Sequence, residues 1–279
     1  MCVRKTGQIK EITSLSNPVI KSFRSLNHKK NRNREGIFIA EGLKLVIDAL
    51  DLRWTIQTLI VSKNQFSHPA LEKAIARIVA NGGLIIKTSK KIMESITHRD
   101  NPQTVIGIFK QQWNSIETIK ELPEDVYIAL DRIRDPGNLG TIIRTADAAG
   151  AKGVILIGET TDPFSPETVR ATMGSIFSVP LYHLNESAFL NWSTHFNGMI
   201  IGTHLKGSVD YRKIDFRGPV LLLMGNEQNG LSDGLVNCCK QLARIPQKGR
   251  ADSLNLAVAT AIMLYEIRRP HLILEPRGN

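Results

Sequence analysis

The chain has 279 residues, 42% hydrophobic and 22% charged, which is enough apolar sequence for a buried core and, at roughly 150 residues per domain, for two domains. Its net charge of +10 is unevenly held: residues 1–110 carry 19 Lys and Arg against eight acids, whereas residues 111–279 carry 17 against 18. Aliphatic runs such as Val220 to Met224 fall far short of the roughly 20 residues of a membrane helix, and Cys2, Cys238 and Cys239 have neither CxxC spacing nor the number for a disulfide framework. A membrane protein, a disulfide scaffold and a structural zinc site are therefore excluded. The first ten residues, MCVRKTGQIK, lack the apolar stretch of a secretory signal, and a reducing, cytoplasmic location is expected.

In chain order, SLSNPVIKSFRSL spaces Leu15, Val19, Ile20, Phe23 and Leu26 as a helix would, with Pro18 near its start. The basic run His28–Arg34 follows. The pattern then alternates: strand-like 37–40, helical 43–50, strand 58–61, helical 69–79, strand 84–87, helical 90–96 and strand 105–109. That alternation predicts an α/β sandwich and a first domain over residues 1–110, whose surplus of positive charge suits a polyanion. Residues 111–124 are polar and read as a linker, and residues 125–279 form a second α/β series. It predicts strands at 126–130, 153–157, 199–203, 220–224 and 242–245. Helices are expected at 140–149, 166–173, 186–195, 232–239 and 254–268. These strands are continuous apolar runs, as parallel strands covered on both faces require.

No GxGxxG follows a strand, and GxxxxGK[ST], HExxH and GxSxG are missing. Three other constellations stand in the second series. DRIRDPGNLGTIIRTADAAG leads from a strand through a Pro-Gly-Asn loop into a helix, placing Asn138 and Arg144 near a strand's carboxyl edge, where open α/β sheets bind ligands. A tight turn capped by Asn138, with Arg144 solvated, is the plainer alternative. DPFSPETVRATMG is a Pro-shaped loop and helix carrying Arg170, Thr172 and Gly174. In LLLMGNEQNGL…RIPQKGRADSLNLA a buried strand ends at Gly225 with Glu227 just beyond it, Ile245 precedes a proline, and Ser253-Leu254-Asn255 opens a helix. Backbone groups of Gly225, Ile245 and Leu254 with aliphatic walls could read a neutral adenine-type ring.

The order NxGxxxR, then RAxxG, then GxExxGL…IP…SLN resembles the SpoU (TrmH-type) family of SPOUT RNA methyltransferases over residues 126–268, and SLSNPVIKSFRSL…REGIFIAEGLKLVIDAL resembles the substrate-binding domain that many members carry. The resemblance implies methyl transfer from S-adenosylmethionine to a ribose 2′-hydroxyl of RNA, ribosomal RNA ahead of transfer RNA. It also implies a parallel-sheet α/β domain closed by a trefoil knot, and a homodimer; the seven histidines show no metal-ligand clustering, so no metal is expected. Carried over by position, Arg144, Asn138, Glu227, Ser253 and Asn255 are the catalytic set. Gly225, Ile245 and Leu254 hold the cofactor, with Thr203 and Met224 as further contacts. Thr172 stands where many members have Ser, and Gln247 where Met or Leu often follows Ile-Pro.

For RNA capture the basic run offers Lys29, Lys30, Arg32 and Arg34 as phosphate contacts. Two other readings remain open at this stage. One is an RNA-binding assembly factor that has lost catalysis. The other is an α/β enzyme for an acidic small molecule, which leaves the basic first domain unexplained.

Overall fold

The computed structural model describes residues 7–63, 69–204 and 209–274; Cys2 lies outside them. The chain divides into two compact units, Met1–Gln111 with Asp162–Phe177, and Gln112–Thr161 with Ser178–Asn279.

The first unit runs β1 (Gln8–Glu11), α1 (Pro18–Ser25), α2 (Lys29–Glu35), β2 (Ile37–Glu41), α3 (Leu43–Asp51), β3 (Ile56–Ser62), α4 (Pro69–Ala80), β4 (Leu84–Thr88), α5 (Lys90–Thr97) and β5 (Val105–Lys110). Its sheet has the order β1-β4-β3-β5-β2. β1, β4 and β3 are mutually parallel, and β5 runs antiparallel to both β3 and β2. Asn17 caps α1 through Val19 N, with Pro18 in the first turn, where a missing N–H costs nothing. One face of the sheet buries Ile20, Phe23 and Leu26 against Ile39, Ile60, Ile86 and Ile108.

The basic run is itself a helix, α2, closed by Gly36 in the left-handed region at φ 63°. This changes the reading of Arg32, which is 3% exposed. Its guanidinium donates to Asp162 Oδ2 at 2.8 and 2.6 Å and to the Leu26 carbonyl at 2.6 Å. Arg32 is therefore a buried structural cation and not a phosphate contact. Lys29, Lys30 and Arg34 stay exposed.

The 162–177 segment belongs to this unit through more than that pair. Phe164 lies 4.9 Å from Phe38 between ring centres, Phe177 lies 4.8 Å from Phe109, and Trp54 Nε1 donates to the Phe177 carbonyl at 2.9 Å. The segment's short helix, α7 (Pro166–Ala171), is capped by Ser165 on Thr168 N. Thr172 is fully buried, with its hydroxyl on the Val169 carbonyl.

In the second unit the elements are β6 (Val126–Asp131), α6 (Pro136–Ala148), β7 (Gly153–Ile157), β8 (Leu181–Leu184), α8 (Glu186–Ser193), β9 (Met199–Thr203), β10 (Val209–Asp210), β11 (Val220–Met224), α9 (Asp233–Cys238), β12 (Gln241–Arg244) and α10 (Leu256–Arg268). They build a seven-stranded sheet, β10-β12-β9-β11-β6-β7-β8, parallel throughout as the apolar runs require. The stretch read as a linker packs into this unit. Ile116 is buried beside Tyr127 and Tyr182, and the Tyr127 hydroxyl donates to the Lys120 carbonyl. No described helix is long and apolar enough to cross a membrane.

Candidate active site

The chain steps outward through β6, β7 and β8 and then returns to the far side of β6, where β11 is inserted between β6 and β9. Strand order reverses there, and in open α/β sheets the crevice at such a reversal, beyond the strands' carboxyl ends, is where ligands sit. The two loops leaving β6 and β11 carry the array described next.

Asp135 caps α6 and accepts from Asn138 N at 2.6 Å, with Pro136 in the first turn. The cap is thus Asp135, not Asn138, and the Asn138 side chain is left for other work. Its Nδ2 donates to Glu227 Oε1 at 3.2 Å, and its Oδ1 accepts from Asn255 Nδ2 at 2.9 Å. Asn255 in turn caps α10, its Oδ1 accepting from Ala257 N and Val258 N. The chain Asn255 to Asn138 to Glu227 is directional, since each amide orientation is fixed by the next partner. Glu227 Oε2 has no described partner. The three side chains line an open cleft of about 340 Å³, with Arg134 and Gln228 in its wall.

Two loop features hold the cleft in place. Asn226, next to Glu227 and 7% exposed, donates to the Arg132 carbonyl at 2.7 Å while its Oδ1 accepts from Gln228 N and Asn229 N. Arg132 sits at φ 47°, unusual for a side-chain-bearing residue, and forks onto the buried Asp131 at 2.8 and 2.7 Å. That hydrogen-bonded pairing raises the Arg132 pKa further. Gly225 is required by packing, because a Cβ there would overlap the Gly230 and Leu231 backbone.

Among the other expected residues, Thr203 and Met224 end the adjacent strands β9 and β11, and the Thr203 hydroxyl lies 3.4 Å from Met224 Sδ. Ile245 follows β12, which pairs with β9, so three neighbouring carboxyl ends share one edge. Leu254, half-buried, directly precedes Asn255. Ser253 is exposed and has no described partner. Arg144 is also exposed and stands apart from the array: six residues along α6 separate it from Asn138 by about 9 Å of rise and about 120° of rotation. Glu227 accordingly pairs with Asn138. Arg134 and Asn226 had no motif or periodicity to mark them. Arg134 was visible only as a cation between the strand end and the helix cap. Among the described residues no group of three His, Cys, Asp or Glu is placed to hold a metal ion.

A parallel α/β domain that gathers a fixed amide–carboxylate array beside apolar strand ends has the parts of a group-transfer enzyme. The chain belongs to the SpoU rRNA Methylase family, whose model matches residues 125–265; a second model, the MRM3-like substrate binding domain, matches residues 17–107. Over 260 residues it is 30% identical to the 23S rRNA (guanosine(2553)-2′-O)-methyltransferase RlmP of Bacillus subtilis, covering 93% of this chain and all of that one. It is also 30% identical to the 23S rRNA (uridine(2479)-2′-O)-methyltransferase of Streptomyces viridochromogenes, over 88% of each chain. Among solved structures, the AdoMet-bound rRNA methyltransferase from Sinorhizobium meliloti superposes with a TM-score of 0.91 at 56% identity, over 96% of this chain and all of that one.

Proposed function

We propose that this protein transfers a methyl group from S-adenosylmethionine to a ribose 2′-hydroxyl of ribosomal RNA, in the cleft lined by Asn138, Glu227 and Asn255. The observation that carries the reading is the continuous hydrogen-bond chain through these three residues, drawn from three distant segments to the carboxyl ends of β6 and β11. Ribosomal RNA is favoured over transfer RNA because two relatives that align along most of the chain, basic first unit included, are named for 23S rRNA, while a third of similar span is named for tRNA/rRNA without distinction. One 23S name specifies a guanosine and the other a uridine, which fits chemistry at the ribose.

The strand edge suits the cofactor. Thr203, Met224, Gly225, Ile245 and Leu254 combine backbone polar groups with aliphatic and thioether surface, the mixture that reads a neutral purine ring. When bound, S-adenosylmethionine supplies an electrophilic methyl on a sulfonium. The protein's part is to make a weak nucleophile effective. Glu227, held by Asn138, accepts from the ribose hydroxyl and fixes it in line. Arg144 acts as a cation for the developing alkoxide and the neighbouring phosphate, approaching them from outside the Asn138–Glu227–Asn255 array, and not as a base. Ser253 and Asn255 position the ribose from the start of α10. Lys29, Lys30 and Arg34 hold RNA phosphates.

The deep trefoil knot, a cytoplasmic location and a homodimer belong to the same reading. Exposed Val258 and Tyr265, one face of α10, support the dimer. The test is methyl incorporation from labelled S-adenosylmethionine into separate pools of unmodified rRNA and tRNA. Label is expected in rRNA. R144A should lower turnover about 10²–10³-fold, as removal of a transition-state donor does, with cofactor affinity within a few-fold. Turnover near wild type in R144A would end the role given to that residue, and label confined to tRNA would replace the substrate.

A further inference from the structure

The first unit contains a second charged cluster, which no residue assignment above uses. Glu41 ends β2, and its side chain is 4% exposed. Two arginines reach it from separate segments: Arg99, beyond α5, approaches Oε2 at 3.5 Å, and Arg170, in the last turn of α7, approaches Oε1 at 3.6 Å. Their own side chains are 40% and 41% exposed. Glu41 Oε2 is buried with no hydrogen bond at all.

The contrast with Arg32 and Asp162 in the same unit is informative. That pair is closed, with two donors at 2.6–2.8 Å and both partners buried. Around Glu41 the contacts are long and unbonded, so the carboxylate holds both arginines in place by charge without engaging their N–H groups. Each guanidinium carries five donors in a planar fork, and neither has another described partner. A single negative charge beneath two half-exposed cations leaves one net positive charge; the fork geometry matches phosphate and carboxylate alike, and on a stretch with 19 Lys and Arg against eight acids the polyanion's phosphate is the fitting occupant.

We propose that Arg99 and Arg170, set apart by the buried Glu41 carboxylate, form a seat for one RNA phosphate on the substrate-binding unit, with Glu41 as their positioning residue. This rests on the RNA reading above. The seat is separate from the basic run of α2 and supplies geometry where α2 supplies only charge. It also gives Arg170 a role, since RAxxG enters the first unit and not the cleft.

The test is filter binding of in vitro transcribed 23S rRNA across a potassium chloride series, with cofactor affinity measured by calorimetry on the same samples. E41Q/R99Q/R170Q removes all three charges together, so no buried carboxylate is stranded. It should bind roughly tenfold more weakly and flatten the log–log salt slope by about one phosphate contact, 0.7–0.9. E41Q alone raises the seat's net charge from one to two, yet should weaken binding several-fold because both cations lose their orientation; tighter binding would overturn the positioning role of Glu41 and leave it a mere counter-charge. R99Q leaves Arg170 against Glu41 and covers the case in which the triple variant fails to fold; a loss of at least threefold is expected. Cofactor affinity should stay unchanged in all three. Folded R99Q or triple variant with wild-type affinity and slope overturns the seat alone. Wild-type protein that binds cofactor but no RNA overturns the RNA reading, and the seat with it.

Discussion

Arg32 shows how little a residue's type says about its task. It lies in a run of cations with Lys29, Lys30 and Arg34, yet it alone is buried, on Asp162 and the Leu26 carbonyl. Removing one member of a buried pair strands the other, which costs about 3–5 kcal/mol. R32A should therefore lower stability by that order and leave the salt slope of RNA binding alone. K29A/K30A/R34A should do the reverse, flattening the slope with little change in melting temperature. Equal effects of the two on the slope would return Arg32 to the surface. Tyr127 makes a similar point with pH as the variable. Burial, and then the Asp125 charge, push its hydroxyl up to about 12, against about 10 for an unfolded tyrosine. The folded state holds the proton more tightly, so this stability is complete below about pH 10 and is lost as pH rises toward about 12. Urea midpoints of wild type and Y127F between pH 9 and 11.5 should converge as pH rises, since the variant lacks this term. Parallel curves would mean Tyr127 titrates normally.

At the scale of elements, the cleft depends on two loops that Asn226 clamps together. N226A removes its bonds to Arg132, Gln228 and Asn229 and leaves a partly buried carbonyl without its partner, at about 1 kcal/mol, the low end for such a group. Turnover should fall at least tenfold through a misplaced Glu227, with cofactor affinity within a few-fold. An N226A enzyme with normal turnover would show that Glu227 holds its place unaided. The sequence made the strands β6, β7, β9 and β11 plain, because continuous apolar runs have few other uses. β8 was missed because it is a four-residue edge strand whose apolar run, Leu181-Tyr182, is cut short by the exposed His183. α2 was missed because KKNRNRE has no apolar period: its buried face is Arg32 itself. α6 begins four residues early because Pro136, read as a turn former, is a first-turn proline behind the Asp135 cap. The Asn138–Glu227–Asn255 array joins positions 89 and 117 residues apart. Only the motif order pointed to it, and nothing local marked Asn226, whose burial is decided by the Arg132 loop.

For the whole molecule, chain order and compact units do not coincide. A cut after residue 110 looks natural from composition, since the positive charge ends there and a polar stretch follows. The first unit nevertheless takes Asp162–Phe177 from far downstream. A fragment ending at Gln111 would lose the Asp162 carboxylate from buried Arg32, the Phe164 ring from Phe38, the Phe177 ring from Phe109 and Trp54, and Arg170 from Glu41. The ion pair alone is worth about 3–5 kcal/mol when one partner is removed. That is comparable to much of the 5–15 kcal/mol that holds an ordinary domain together. The fragment is therefore expected to expose its aromatic cluster, bind a hydrophobic dye and lose a cooperative melt. R32M should restore part of the loss, since it removes the stranded cation while filling similar volume. A fragment 1–111 that melts as sharply as the intact protein and binds no dye would show that the first sheet and its helices suffice without residues 162–177.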